Sequence, residues 1–194
     1  MWADLIQRTA RSERVARQAG FWWGLAEGFA FFIVPDVYVT FATLFSLRAG
    51  AVAWLFSILG SLVAVCMVYV FVTLLSAGYM GFLDSVPGIS RALIEDTAMR
   101  VTADGLPYTP LLVLGGVPLK VYAAVAFAFG FSLGAVLLWT VFARVARIAP
   151  VFALVALVRM LFRGSVDAHA RLWSAAHVVS WIAFYVAYFA RMGD

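Results

Sequence analysis

The sequence predicts an all-α integral membrane protein, with two re-entrant helical hairpins in an inverted repeat and about three full transmembrane helices. Three observations predict it. Hydrophobic residues fill 65% of the 194 positions and charged residues 12%, against roughly 45–50% and about 25% in an ordinary soluble domain. Several uncharged stretches reach the roughly 20 residues that a helix needs to cross about 30 Å of hydrocarbon. Two further apolar stretches are interrupted near their middle by proline and a charge. A water-soluble globule is excluded, and residues 1–194 read as a single membrane domain.

In residues 1–19, Trp2, Leu5, Ile6 and Thr9 recur at helical spacing opposite Gln7, Arg8 and Arg11, the pattern of a basic interfacial helix that anchors the chain. The apolar stretch that follows contains Glu27 and shows no small-residue cleavage site, so it is expected to be retained. Residues 21–47 are too broken for a simple crossing, with Glu27 inside and Pro35-Asp36 at the centre. Proline removes a helix donor and disfavours helix at the residue before it, so the segment is predicted to fold as a re-entrant hairpin of two half-helices. Residues 51–77 form the first full span, inside a charge-free run from Arg48 to Asp84. Residues 79–105 are the long polar connection. Ile89, Leu93, Ile94, Ala98 and Val101 mark the apolar face of a surface helix that ends before Gly105.

Residues 107–130 repeat the broken pattern, with Gly115, Gly116 and Pro118 at the centre and Lys120 just beyond, and are predicted to form the second hairpin. Residues 131–161 and 172–190 complete the spans. The alternative for both broken segments is an ordinary helix with a kink, since single prolines are tolerated in membranes. Gly130 and Gly134 form a small-xxx-small pair that permits self-association, a route to a homo-oligomer. The Arg-rich N-terminus and the Arg159, Arg163, Arg171 group place those regions in the cytoplasm and the polar connection outside.

Lys120 is the sole lysine among 14 basic residues. Arg8, Arg11, Arg14 and Arg17 flank a membrane segment, as cytoplasmic retention requires, so no nucleic-acid partner is expected. Trp22, Trp23 and Trp173 read mostly as interfacial anchors. Cys66 stands alone, and His169 and His177 fit no metal pattern, so neither a metal nor another cofactor is expected. GxSxG, phosphate-loop and EF-hand signatures are absent.

What remains is a set of charges in apolar surroundings: Glu27, Asp36, Lys120, Arg144 and Arg147. Each costs about 2.5–3.5 kcal/mol to insert alone near the bilayer centre, so a shared polar pocket is expected. Three bases against two acids leave such a pocket one positive charge, which suits an anionic headgroup. Arg144 and Arg147 share a helix face and can grip phosphate oxygens in a bidentate way, and Lys120 adds a point charge. Glu27 and Asp36 either neutralise the bases permanently or carry a proton, and Glu27, farther inside an apolar arm, is the better placed for the second role. Asp36 pairs with Lys120 or caps the half-helix after Pro35. If the helix runs through Pro150 both arginines lie near its midpoint, and if it ends at Ile148 they are interfacial.

The run Glu27-Gly28-Phe29-Ala30-Phe31-Phe32-Ile33-Val34-Pro35-Asp36-Val37 resembles the acidic first re-entrant motif of the DedA or VTT-domain superfamily, especially its YqaA-like branch. Val117-Pro118-Leu119-Lys120-Val121-Tyr122 is similar to that branch's Pro-x-Lys-Val-aromatic element, and Arg144 and Arg147 match two downstream basic residues. The resemblance covers roughly Gly24 to Pro150. It departs at Phe32 and Val34, where prolines are usual, and in Pro-Leu-Lys for Pro-Tyr-Lys. The resemblance implies two opposed re-entrant hairpins, lipid translocation of polyprenyl phosphates or glycerophospholipids, and a functional need for the first-hairpin acid and the later arginines. The expected function is therefore transport of an anionic lipid across a bacterial inner membrane, coupled to protons if the acids act as proton carriers rather than as permanent counter-charges. The alternatives are an intramembrane enzyme acting on a lipid phosphate and a structural or partner-binding membrane protein.

Overall fold

The computed structural model describes residues 2–106 and 117–192, which are helical with no strand among them. Helix α1 (Trp2–Arg11) and α2 (Glu13–Phe29) are separated at Ser12, whose hydroxyl accepts from Val15 N at 3.4 Å. The single basic helix expected over 1–19 is therefore two. Ser12 with Glu13 behind it is an N-cap and an acidic first turn, and this local signal overrides the continuous periodicity. The second of these helices carries Arg14 and Arg17 and runs straight on into the apolar arm. Helix α1 also packs on protein, with Ala10 buried against Leu44, Phe45 and Val166.

Residues 30–35 break the chain, and α3 (Asp36–Phe45) follows with Pro35 at its N-cap. Helix α4 (Leu47–Asp84) starts four residues earlier than the expected span, because the Ser46 hydroxyl caps it by accepting from Ala49 N at 3.2 Å. It also runs beyond Gly78 and bends at Leu75, whose φ/ψ of −138°/44° are not helical. So the polar connection begins at Ser85 rather than at Tyr79. Helix α5 (Arg91–Asp104) ends as expected at Gly105, which adopts φ 74° and returns its N–H to Val101 O.

Helix α6 (Leu119–Ala128) has Pro118 at its N-cap, and α7 (Leu133–Leu161) is capped by Ser132 on Ala135 N at 3.3 Å. The first arm of the second expected hairpin, with Gly115 and Gly116, lies outside the described residues. Gly130 adopts φ 81° in the turn between α6 and α7, while Gly134 sits in the first turn of α7. The expected small-xxx-small pair is thus not on one helix: the turn needs the left-handed backbone that glycine supplies. A short α8 (Arg163–Ala168) leads to α9 (Ala170–Met192).

Among the described residues, three helical stretches are long and apolar enough to cross a membrane: Leu47–Leu75, Leu133–Leu161 and Ala170–Ala190. The chain is an integral membrane protein by this measure. Helices α3 and α6, at 10 residues each, extend only about 15 Å.

Helix α2 lies parallel to α4 along a seam of small residues, with Gly20 against Ala53, Gly24 against Ser57 and Gly28 against Ser61 and Ala64. A Cβ on Gly20 or Gly24 would run into the α4 backbone, so the close approach requires glycine there. The start of α2 and the start of α4 also meet, through Glu13 Oε1 and Arg48 Nε at 2.8 Å. The chain therefore runs in along α2, turns at 30–35, returns along α3 and begins α4 beside its own starting level.

Candidate functional site

The site is built on that turn. Gly28 abuts Ser61, the central residue of Leu47–Leu75, so the end of α2 sits at the mid-depth of α4. Six non-helical residues in an apolar setting leave backbone groups that need partners. Four side chains from four helices supply them, three to the break itself and one to Phe29, the last residue of α2. Tyr79 OH donates to Phe29 O at 3.0 Å, and Lys120 Nζ donates to Phe31 O at 2.9 Å. Trp23 Nε1 donates to Ile33 O at 3.0 Å, and Tyr185 OH accepts from Val34 N at 2.8 Å.

Lys120 Nζ also donates to Glu27 O at 3.0 Å, a carbonyl in the last turn of α2. The ammonium thus sits at the negative end of a half-helix, where backbone carbonyls lack intrahelical donors. It does not pair with Asp36. The Glu27 carboxylate forms a buried ion pair with Arg144 of α7. Both side chains are only 2% exposed.

Asp36 does not cap α3 through its side chain, since Pro35 holds the N-cap and no side-chain cap bond forms. Its Oδ1 lies 3.8 Å from Arg147 Nε, close enough for charge pairing but beyond hydrogen-bond range. Its Oδ2 is buried without a hydrogen-bond partner, as is Arg144 Nε. Helix α7 continues through Pro150 to Leu161, so Arg144 and Arg147 fall near its middle rather than at its end. Arg147 is the outlier in burial: its side chain is 22% exposed, where the Asp36 side chain is 4% exposed.

The fold therefore gathers all five charged residues, Glu27, Asp36, Lys120, Arg144 and Arg147, around one break in the chain. Pro35 and Pro118 begin the two short helices that deliver Asp36 and Lys120. If all five are ionised the cluster carries one net positive charge, three cations less two anions. Among the described residues no group of three or more His, Cys, Asp or Glu can hold a metal ion.

Tyr79, Tyr185, Trp23 and Thr40 are the site residues that sequence reasoning missed. Trp23 is a clip across the break rather than an interfacial anchor. Thr40 Oγ1 lies between His177 Nε2 at 2.9 Å and Trp181 Nε1 at 3.2 Å, tying α9 to α3. A polar residue four positions after Asp36 was the only local sign of that tie. The chain matches no protein-family model, no curated protein and no solved structure.

Proposed function

We propose that this protein moves an anionic lipid, a polyprenyl phosphate or a glycerophospholipid, across the bilayer, with protons as the coupled ion. The observation that carries the reading is the meeting of Glu27, Asp36, Lys120, Arg144 and Arg147 at the mid-depth of α4 and α7, with a net positive charge. Charges at that depth are expensive and are commonly kept for a polar substrate or ion. Arg144 and Arg147 present the planar donors that phosphate oxygens prefer. The unpaired Asp36 Oδ2 and Arg144 Nε supply an acceptor and a donor already desolvated and uncommitted. An arriving phosphate competes with Glu27 for Arg144 and with Asp36 for Arg147, and a displaced carboxylate then takes a proton.

In this reading residues 21–47 and 107–130 are re-entrant hairpins. The proximity of Glu13 and Arg48 supports the first, because a segment that enters and leaves on one face must bring its two ends together. The inverted repeat is supported by a shared local layout: a Pro-capped helix of 10 residues, then a long helix capped by serine. Such paired interrupted segments are where secondary transporters place their binding sites. The resemblance to the DedA or VTT-domain superfamily points the same way, as does placement in a bacterial inner membrane with the arginine-rich N-terminus in the cytoplasm.

Reconstitution into liposomes, with a leaflet assay for labelled phospholipid and for polyprenyl phosphate, tests this. Movement without chemical change is the expected result. Glu27→Gln, Asp36→Asn and Arg144→Ala should each abolish it while leaving membrane insertion intact. Wild-type rates in all three would remove the mechanism. A chemically altered lipid would point to an intramembrane enzyme instead, and no movement of either lipid would leave the charges a structural role.

A further inference from the structure

Helix α9 is attached to the rest of the protein unevenly. None of its membrane-length window is buried, against 39% for Leu47–Leu75 and 17% for Leu133–Leu161. Beyond its first turn, where Trp173 meets Ser165 and Phe162, the named contacts to the break and α3 come from one stripe, His177, Trp181, Tyr185 and Phe189, spaced so that a helix places all four on one face. His177 and Trp181 converge on Thr40 Oγ1, and Tyr185 OH accepts from Val34 N. Rings finish the seam: His177 lies 5.6 Å from Phe41, and Tyr185 and Phe189 lie 6.5 and 5.9 Å from Phe32.

Every one of these partners belongs to the break or to α3, and they flank Asp36 on both sides. Tyr185 OH meets Val34 two residues before Asp36, and Asp36 lies 3.8 Å from Arg147, so the same helix stands beside the end of the cluster that holds its most exposed member. The Thr40 hydroxyl is fully committed. Its hydrogen is within reach of Asp36 O at 2.6 Å and Val37 O at 3.2 Å, Trp181 Nε1 donates to its oxygen at 3.2 Å, and His177 Nε2 lies 2.9 Å away. At the start of α9 the chain is pinned, with Ala170 buried at 2% exposure, and His169 just before it is non-helical at φ −118°, ψ 45°. That arrangement is a pivot followed by a lightly held arm.

We propose that α9 is a lateral gate over the Asp36–Arg147 end of the charged cluster, turning about His169 and latched by the His177–Trp181–Tyr185 stripe. What the gate admits rests on the lipid-transport reading, whereas its movement does not. Because no residue in the membrane-length window of α9 is buried, opening forfeits chiefly the latch, the ring contacts and the approach of Tyr188 and Phe189 to Gly88, and what it uncovers includes polar groups that a headgroup can satisfy.

The test uses full-length protein with Cys66→Ala in phosphatidylglycerol–phosphatidylethanolamine nanodiscs, spin-labelled at Ser180→Cys and Leu55→Cys. Distances between the labels are compared with those in the same protein carrying Trp181→Phe and Tyr185→Phe, which keep the rings and remove two hydrogen bonds. The parent should show one main distance. The latch variant should gain a second, with its population raised roughly five- to tenfold. Identical distributions in the two proteins would overturn the gate.

A second arm joins Phe32→Cys to Phe189→Cys, again with Cys66→Ala, through a short reducible cross-linker. Lipid movement should fall at least about tenfold on cross-linking, a rise of roughly 1.4 kcal/mol in the barrier, and recover on reduction. Unchanged movement in the cross-linked protein would also overturn the gate while leaving transport standing. If the protein moves no lipid in any state, the transport reading fails, and the label distances alone decide whether α9 opens.

Discussion

Lys120 is the residue whose role differs most from expectation. The sequence offered it as a point charge for a headgroup, or as a partner for Asp36, yet both of its hydrogen bonds go to backbone carbonyls of the break, Glu27 O and Phe31 O. Lys120→Met should leave two buried acceptors without a donor and cost about 1–3 kcal/mol, read as a lower melting temperature in detergent. Arg147→Met, at a half-buried side chain with no hydrogen bond to Asp36, should cost clearly less. The Glu27–Arg144 pair behaves differently again. Breaking it on one side strands a buried charge, so Arg144→Met alone should cost about 3–5 kcal/mol. The double variant Glu27→Gln with Arg144→Met removes both charges and should recover most of that loss. Equal melting temperatures for the single and double variants would contradict the pairing. The identities of these five residues were legible because charge in an apolar run is conspicuous. Their pairing was not, since it depends on which turn of α2 faces α7, and no local pattern encodes that.

At the level of elements, the tightest joint is the α2–α4 seam. Gly20, Gly24 and Gly28 stand at four-residue intervals in plain view in the sequence, and the small-xxx-small rule applies to them rather than to Gly130 and Gly134. Gly24→Leu should force the helices apart and cost about 1–3 kcal/mol or more, whereas Gly134→Leu, with open space around it, should be tolerated. Comparing folded yield and melting temperature of the two variants checks this. A second joint ties α1 to α8: Asp167 accepts from Arg11 at 2.6 Å and from Arg159 at 2.7 Å, and its carbonyl accepts from Gln7 at 2.8 Å. The Arg159 hydrogen bond in particular holds the Asp167 carboxyl below its ordinary range. A carboxyl so held stabilises the folded state in full above that range and loses the contribution as the pH falls through and below it. Melting temperature should therefore be insensitive to this group near neutrality and drop on acidification. Asp167→Asn should remove that part of the acid dependence. Of the helix ends, Gly105 was read from the sequence, whereas the caps at Ser12, Ser46, Ser90 and Ser132 were passed over although each acts through its own hydroxyl on nearby backbone. The pairing of joints across 156 or more positions of chain has no such local sign.

For the whole molecule, the arrangement of α2, α3 and α4 makes a topological prediction. With Cys66→Ala, single cysteines at Arg14 and Leu47 should react with an impermeant thiol reagent from the same face of the membrane, and one at Glu95 from the opposite face. Labelling of Arg14 and Leu47 positions from opposite faces would make 21–47 an ordinary kinked span. By itself the sequence determined the solvent, the all-α class of fold, the proline breaks before Asp36 and Lys120, and the five charges too costly to leave apart. These are one-dimensional properties: apolar length against bilayer thickness, proline against helix, and charge against hydrocarbon. Only the tertiary structure decided that Glu27 takes Arg144, that Lys120 seals the broken backbone, that glycines bring α2 against α4, and that α9 hangs on a single stripe. In lipid there is no hydrophobic force between helices to read from composition, so their packing follows from shape and hydrogen-bond complementarity between segments far apart in the chain, which exists only once they are side by side.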